Sequence, residues 1–213
     1  MAVIIRLKAG ELPPAQTLAD LAAAAKSCKI IAFPTDTVYG LGSTALIKAA
    51  GRRIYQIKGR PAAKPLPVFV KSAEAAKHWV EWTPLAEVLA KKFWPGVLTL
   101  VLRPTKEGRL LTFAEYQTVA LRVPNHPLLL KLLEISDVPW AQTSANISGE
   151  PALNDGETVA EQFKDLVDYI VSAETAPGAE STVVDATGAA PRILREGAIP
   201  AAAVKEAAGT APC

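Results

Sequence analysis

Charge of one sign, cysteine, histidine and long apolar runs are all scarce in this sequence. Its 213 residues carry 23 Lys and Arg against 21 Asp and Glu, a formal net charge of +2. No global field therefore draws nucleic acid, and any basic surface has to be local. The two cysteines, Cys28 and Cys213, make neither a disulfide framework nor a zinc site, and they suit a reducing compartment. His78 and His126 lack metal-ligand spacing; the first reads as a surface helix residue, the second as a residue that orders the turn after Pro124. No apolar stretch reaches the ~20 residues that span a bilayer. Residues 1–8 lack a small-residue cleavage site and read as a first strand, not a signal peptide. A cytoplasmic protein is expected. Neither a Walker sequence nor G-x-G-x-x-G is present, which removes the two usual phosphate loops. No serine sits in a nucleophile elbow and Cys28 carries no signal of reactivity, so covalent catalysis has no candidate.

What is present is apolar material in alternating patterns. Half of the residues are hydrophobic (50%), enough for a sizeable core, and a single domain over residues 1–213 is expected. Strand-like runs fall at 3–7, 29–33, 66–70, 97–102, 119–123, 140–143, 168–171, 182–185 and 192–195. Helical runs fall at 18–26, 46–57, 73–79, 84–93, 127–135 and 158–163, with a last short one from Pro200. Residues 103–117 lack periodicity and read as a loop. The alternation predicts one α/β fold with a mixed sheet.

Open α/β sheets bind ligands at strand ends, so the loops there carry the functional signal. The segment from Pro34 to Gly42, PTDTVYGLG, follows an apolar strand with hydroxyls, a carboxylate and two glycines. Glycine lets a backbone approach a ligand and hydroxyls bind small polar molecules; an ordinary turn capping a strand uses the same residues. Lys58, Arg60 and Lys64 gather at a helix–strand junction. They suit a triphosphate clamp, Arg as a fork and Lys as a point charge, or the completion of a helix C-terminus. From Thr143 to Gly149, TSANISG clusters short polar side chains that fit phosphate oxygens or a metal-bound water, and equally a helix cap. Arg122 lies inside the apolar run VALRV, where a cation needs an anionic partner. A substrate carboxylate is one candidate and a structural Asp or Glu the commoner one. Ser181 and Arg195 carry no specific signal of their own.

Together FPTDTVYGLG, KGRPAAKPL, WPGVLTLVL, VALRVPNHPL, TSANISGEP and STVVD followed by ILREG resemble, in order, the YrdC family of threonylcarbamoyl-AMP synthases. The resemblance implies a YrdC-like α/β fold: a twisted mixed sheet, flanking helices and a large concave, partly basic cavity. It implies that threonine and bicarbonate or carbon dioxide form N-carboxy-threonine, which ATP accompanied by Mg2+ adenylates, releasing pyrophosphate. A separate threonylcarbamoyl-transferase complex would then modify the adenosine beside the anticodon of tRNAs reading codons that start with A. By position, Lys58 and Arg60 form the K-x-R element and Ser144 and Asn146 the S-x-N element, both associated with the nucleotide phosphates. Lys64, Thr118 and the backbone of Ala152 join the ATP side, which Arg195 closes. Thr37, Arg122 and Ser181 would hold threonine, with Arg122 at its carboxylate and the backbone near Gln142 at its amino group. Such chemistry gathers anions and shields charge without a protein nucleophile.

Two positions depart from the family pattern. Phe69 stands where many relatives have a histidine, and Ala152 where the family often has a serine. The chain ends soon after the fold and resembles the short form that lacks a further C-terminal domain. Two other readings compete. An RNA-binding module would hold tRNA or double-stranded RNA by shape on a concave basic face. Near-neutral charge and the lack of aromatic–basic interleaving argue against that as the main role, leaving weak tRNA contact as an accessory. A carbamoyl-transfer domain like that of hydrogenase maturation proteins would come with zinc-finger cysteines and an acylphosphatase segment, and neither is here.

Overall fold

Short apolar strands and amphipathic helices alternate through the computed structural model, which describes residues 1–8, 10–59, 65–111, 116–173 and 178–209. In chain order the elements are β1 (Val3–Arg6), α1 (Ala15–Lys26), β2 (Ile31–Phe33), β3 (Gly40–Thr44), α2 (Lys48–Lys58), β4 (Val68–Phe69), α3 (Ala73–Trp79), α4 (Pro84–Phe93) and β5 (Leu98–Leu102). Then come β6 (Val119–Arg122), α5 (Pro127–Ser136), β7 (Trp140–Ser144), α6 (Gly156–Phe163), β8 (Tyr169–Ser172), β9 (Thr182–Asp185), β10 (Arg192–Arg195) and α7 (Ala201–Ala208). Ser72, Thr83 and Asp155 start α3, α4 and α6 by accepting backbone N–H bonds from Ala75, Ala86 and Thr158. Pro84 at the head of α4 needs no such partner. Among the described residues no helix is long and apolar enough to cross a membrane.

The described strands form one mixed ten-stranded sheet, ordered β1-β8-β2-β3-β7-β4-β6-β5-β9-β10. Four ladders are parallel (β1 and β2 with β8, β4 with β6, β5 with β9), and the other described ladders are antiparallel. Period-two alternation along β2 sends Ala32 to one face and Ile31 and Phe33 to the other. On the Phe33 face, Leu18 and Leu21 of α1 and Leu129 and Leu132 of α5 pack over Phe69 and Trp140. On the opposite face, Ile54 of α2, Leu89 of α4, Phe163 of α6 and Val204 of α7 cover Leu41, Leu100 and Leu121. Helices on both faces explain why the strands read as continuous apolar runs.

One strand departs from expectation. Sequence patterning leaves 34–42 as a loop, yet Gly40–Thr44 is a fully buried strand between β2 and β7. Its two glycines hide the strand signal, because glycine has low β propensity and no side chain to show alternation. Their role is also different from the expected approach to a ligand. A Cβ on Gly40 would come 2.7 Å from the Phe33 ring, and one on Gly42 2.9 Å. The glycines let the Phe33 ring lie against the strand. The loop at 103–117 likewise contains a 3-10 turn, Glu107–Leu111.

Candidate active site

The turn after β2 is built by its own hydroxyls. Thr35 Oγ1 donates to Val38 O (2.7 Å) and accepts the N–H of Thr37 (2.9 Å). It also lies 2.9 Å from Thr37 Oγ1, so Thr35 fixes where Thr37 sits. Between them, Asp36 turns the other way. One carboxylate oxygen accepts from Arg122 Nη2 (2.6 Å) and the other from the backbone N–H of Asn125 (2.9 Å). The anionic partner that Arg122 requires is thus an aspartate of the same turn.

Arg122 ends β6 opposite Phe69 of β4 and is 3% exposed. Its guanidinium lies over the Phe69 ring (5.6 Å) and its Nε donates to Gly96 O (2.8 Å). Burial lowers its pKa, the Asp36 carboxylate raises it again, and Arg195 adds a smaller repulsion. Arg195 closes the far wall: it donates to Glu180 Oε2 (2.6 Å) and Ser181 O (2.8 Å). Ser181 Oγ in turn lies 2.9 Å from Thr99 Oγ1. Gly197 lets this hairpin close, since a Cβ there would stand 2.1 Å from Glu180 O.

These groups surround an open cleft of about 140 Å³. Its walls include Thr37, Phe69, Arg122, Gln142, Ser144, Glu180, Ser181 and Arg195. Gln142 and Ser144 reach it from β7, whose register opposite Gly42 and Gly40 of β3 holds them in place. Behind Ser144 stands buried Lys58, which donates to Ser144 O (2.7 Å) and to Asn146 Oδ1. Ser144 Oγ donates to the same Asn146 oxygen (2.7 Å), while Asn146 Nδ2 donates to Ile147 O (3.0 Å) and Glu150 O (2.5 Å). Lys58 and Asn146 therefore brace the loop, and of the three only Ser144 lines the cleft.

Of the sequence-predicted residues, Thr37, Arg122, Gln142, Ser144, Ser181 and Arg195 converge on this one cleft. Thr118 and Ala152 are half-buried and are not among its lining residues. Arg60, Lys64 and Cys213 lie outside the described residues. His78 is exposed on α3, as expected. His126 does not order its turn: it makes no capping bond, its Nδ1 is buried without a partner, and Asp36 holds the turn through Asn125. Sequence reasoning gave Asp36 no role of its own and missed Glu180. Among the described residues no group of three or more His, Cys, Asp or Glu side chains is arranged to hold a metal.

A mixed sheet covered by helices on both faces, with a cleft lined by arginines and hydroxyls, defines an α/β protein with a polar pocket of the kind such sheets form at strand ends. The Sua5/YciO/YrdC family model, described as telomere recombination, matches residues 23–197, and the chain belongs to that family. It is 44% identical over 183 residues to a threonylcarbamoyl-AMP synthase of Pyrococcus abyssi, a match covering 85% of this chain and 54% of that protein. It is 40% identical over 186 residues to the Bacillus subtilis threonylcarbamoyl-AMP synthase, again 85% of this chain and 54% of that one. The chain thus spans about half the length of these relatives. Its fold matches the crystal structure of P. abyssi Sua5 complexed with L-threonine with a TM-score of 0.89 at 41% identity, over 97% of this chain and 61% of that one.

Proposed function

We propose that this protein is a threonylcarbamoyl-AMP synthase that condenses L-threonine, bicarbonate or carbon dioxide, and ATP. The observation that carries the reading is the convergence of Thr37, Arg122, Gln142, Ser144, Ser181 and Arg195, from distant segments, on one cleft. Arg122 takes the threonine carboxylate, with the Thr37 and Ser181 hydroxyls beside it and the Gln142 backbone at the amino group. The neutral amine attacks carbon dioxide, forming a C–N bond and losing its proton to solvent. A carbamate oxygen then attacks the α-phosphorus of ATP, and pyrophosphate leaves: a nucleotidyl transfer. Ser144, held by Lys58 and Asn146, and Arg195 face the phosphates, and Arg60, Lys64, Thr118 and Ala152 are the further residues that the family resemblance assigns to ATP.

No protein nucleophile takes part; the site acts by orientation and by charge matched to the anions it collects. Glu180, which lines the cleft, and Asp36, behind it, are each paired with an arginine, a donor set that does not fit a protein-held magnesium cage. Mg2+ accompanies the ATP phosphates instead. The product goes to a separate threonylcarbamoyl-transferase complex acting on tRNA in the cytoplasm, with weak tRNA contact on the concave face an accessory feature. Pyrophosphate release with each component omitted in turn tests the reading. Turnover should require threonine and bicarbonate together, with serine a slower substitute. A rate unchanged without either one rules the synthase out.

A further inference from the structure

Arg122 is held on several sides, but among the described residues only one holder carries charge. Phe69 supports the guanidinium face, Gly96 O accepts from Nε, and Thr37 Oγ1 lies 3.5 Å from Nη1. Among the described residues Asp36 supplies the single counter-charge, at 2.6 Å from Nη2. The carboxylate is itself anchored by Asn125 N, on the segment that leaves β6. It thus ties the turn after β2 to the chain after β6, with Arg122 between them. Asp36 is not among the residues lining the cleft, so it works from behind.

A guanidinium has one N–H on Nε and two on each terminal nitrogen. With Asp36 on Nη2 and Thr37 on Nη1, Arg122 keeps one N–H on each terminal nitrogen without an acceptor among the described residues. One N–H from each is what a carboxylate fork uses. We propose that Asp36 is a positioning residue of the threonine site: it orients Arg122 so that these two N–H groups face the cleft and engage the amino-acid carboxylate. The proposal rests on the cleft being a threonine site. The pair also presents directed donors with little net charge, which suits a zwitterionic amino acid and gives less to a polyanion such as ATP.

The test compares wild type, Asp36→Asn, Arg122→Gln and the double variant by calorimetric titration with threonine and with ATP, steady-state kinetics and thermal melts. Asp36→Asn should raise the threonine KM by at least about tenfold, while the ATP KM changes less than about threefold. In the Arg122→Gln background the same change should have little further effect on threonine, because Asp36 acts through that arginine. Equal losses for both ligands, or a threonine KM unchanged by Asp36→Asn, overturn the positioning role. No threonine binding by wild type overturns the site reading beneath it, which separates the two failures. If Asp36→Asn does not fold, Asp36→Glu keeps the charge and shifts it by one methylene. A threonine KM unchanged in that variant overturns the proposal, and a selective rise supports it.

Discussion

A buried arginine beside a largely covered aspartate is stable as a pair and costly as a remnant. Arg122 and Asp36 have side chains only 4% and 11% exposed, so Arg122→Gln strands the carboxylate. Breaking such a pair costs about 3 kcal/mol. The melting temperature should fall by roughly 6–12 °C for a chain of this size. A lowered melting point alone therefore does not separate a structural arginine from a binding one; the ligands do. Threonine affinity should drop by at least about thirtyfold and ATP affinity by less than about threefold. Calorimetry showing equal losses would mean that the arginine only holds the fold.

His126 carries a second residue-scale consequence. Burial lowers its pKa, Asp36 offsets part of that shift, and its Nδ1 is sealed without a partner. The folded chain binds this proton less readily than the unfolded chain. The associated stability is present above the ordinary imidazole value of ~6.5 and is lost as pH falls below it. Melts taken from about pH 8 down to about pH 5 should show His126→Gln losing less than wild type. Parallel curves would sink the assignment. Gln142, Ser181 and Arg195 came from the family resemblance alone, whereas Arg122, Thr37 and Ser144 were legible because short polar and cationic types interrupt apolar runs. Asp36 and Glu180 were not, because a carboxylate in a polar loop is unremarkable and their arginine partners lie 86 and 15 residues away.

At the scale of elements, β3 is where packing overrode propensity. Gly42→Ala would set a Cβ 2.9 Å from the Phe33 ring and 3.0 Å from the carbonyl of Ala141, a contact with backbone that cannot swing aside. Overpacking of this kind costs about 1–3 kcal/mol. Because Gly42 is paired with Gln142, the displaced strand should also weaken threonine binding. A variant with wild-type melting temperature and threonine affinity would show that the Phe33 contact is loose. Helices were read more accurately than strands. Their start signals are local: Ser72 and Thr83 with the proline after it mark α3 and α4, which begin where the sequence placed them. The strand between β2 and β7 had no such signal.

For the whole molecule, the α/β class with a mixed sheet followed from alternating apolar runs, and the flanking helices from the family resemblance. Strand order did not, because the ladders join residues far apart in sequence and no local pattern encodes which edges meet. β1 is the extreme case. Its ladder is with β8, Val3 facing Tyr169 and Arg6 facing Ser172. β2 pairs with the same strand, and Asp168 just before it binds the backbone of Ile30 and the side chain of Arg53. On the ribosome, then, the first strand waits for a partner until residue 172 has been made. At roughly 5–20 residues per second that wait lasts on the order of ten seconds to half a minute. During it the sheet has a gap where β8 will sit, with β2 exposed on one side and β1 untethered. A nascent chain stalled short of residue 172 would present that open edge to chaperones, and release past it would close both ladders together.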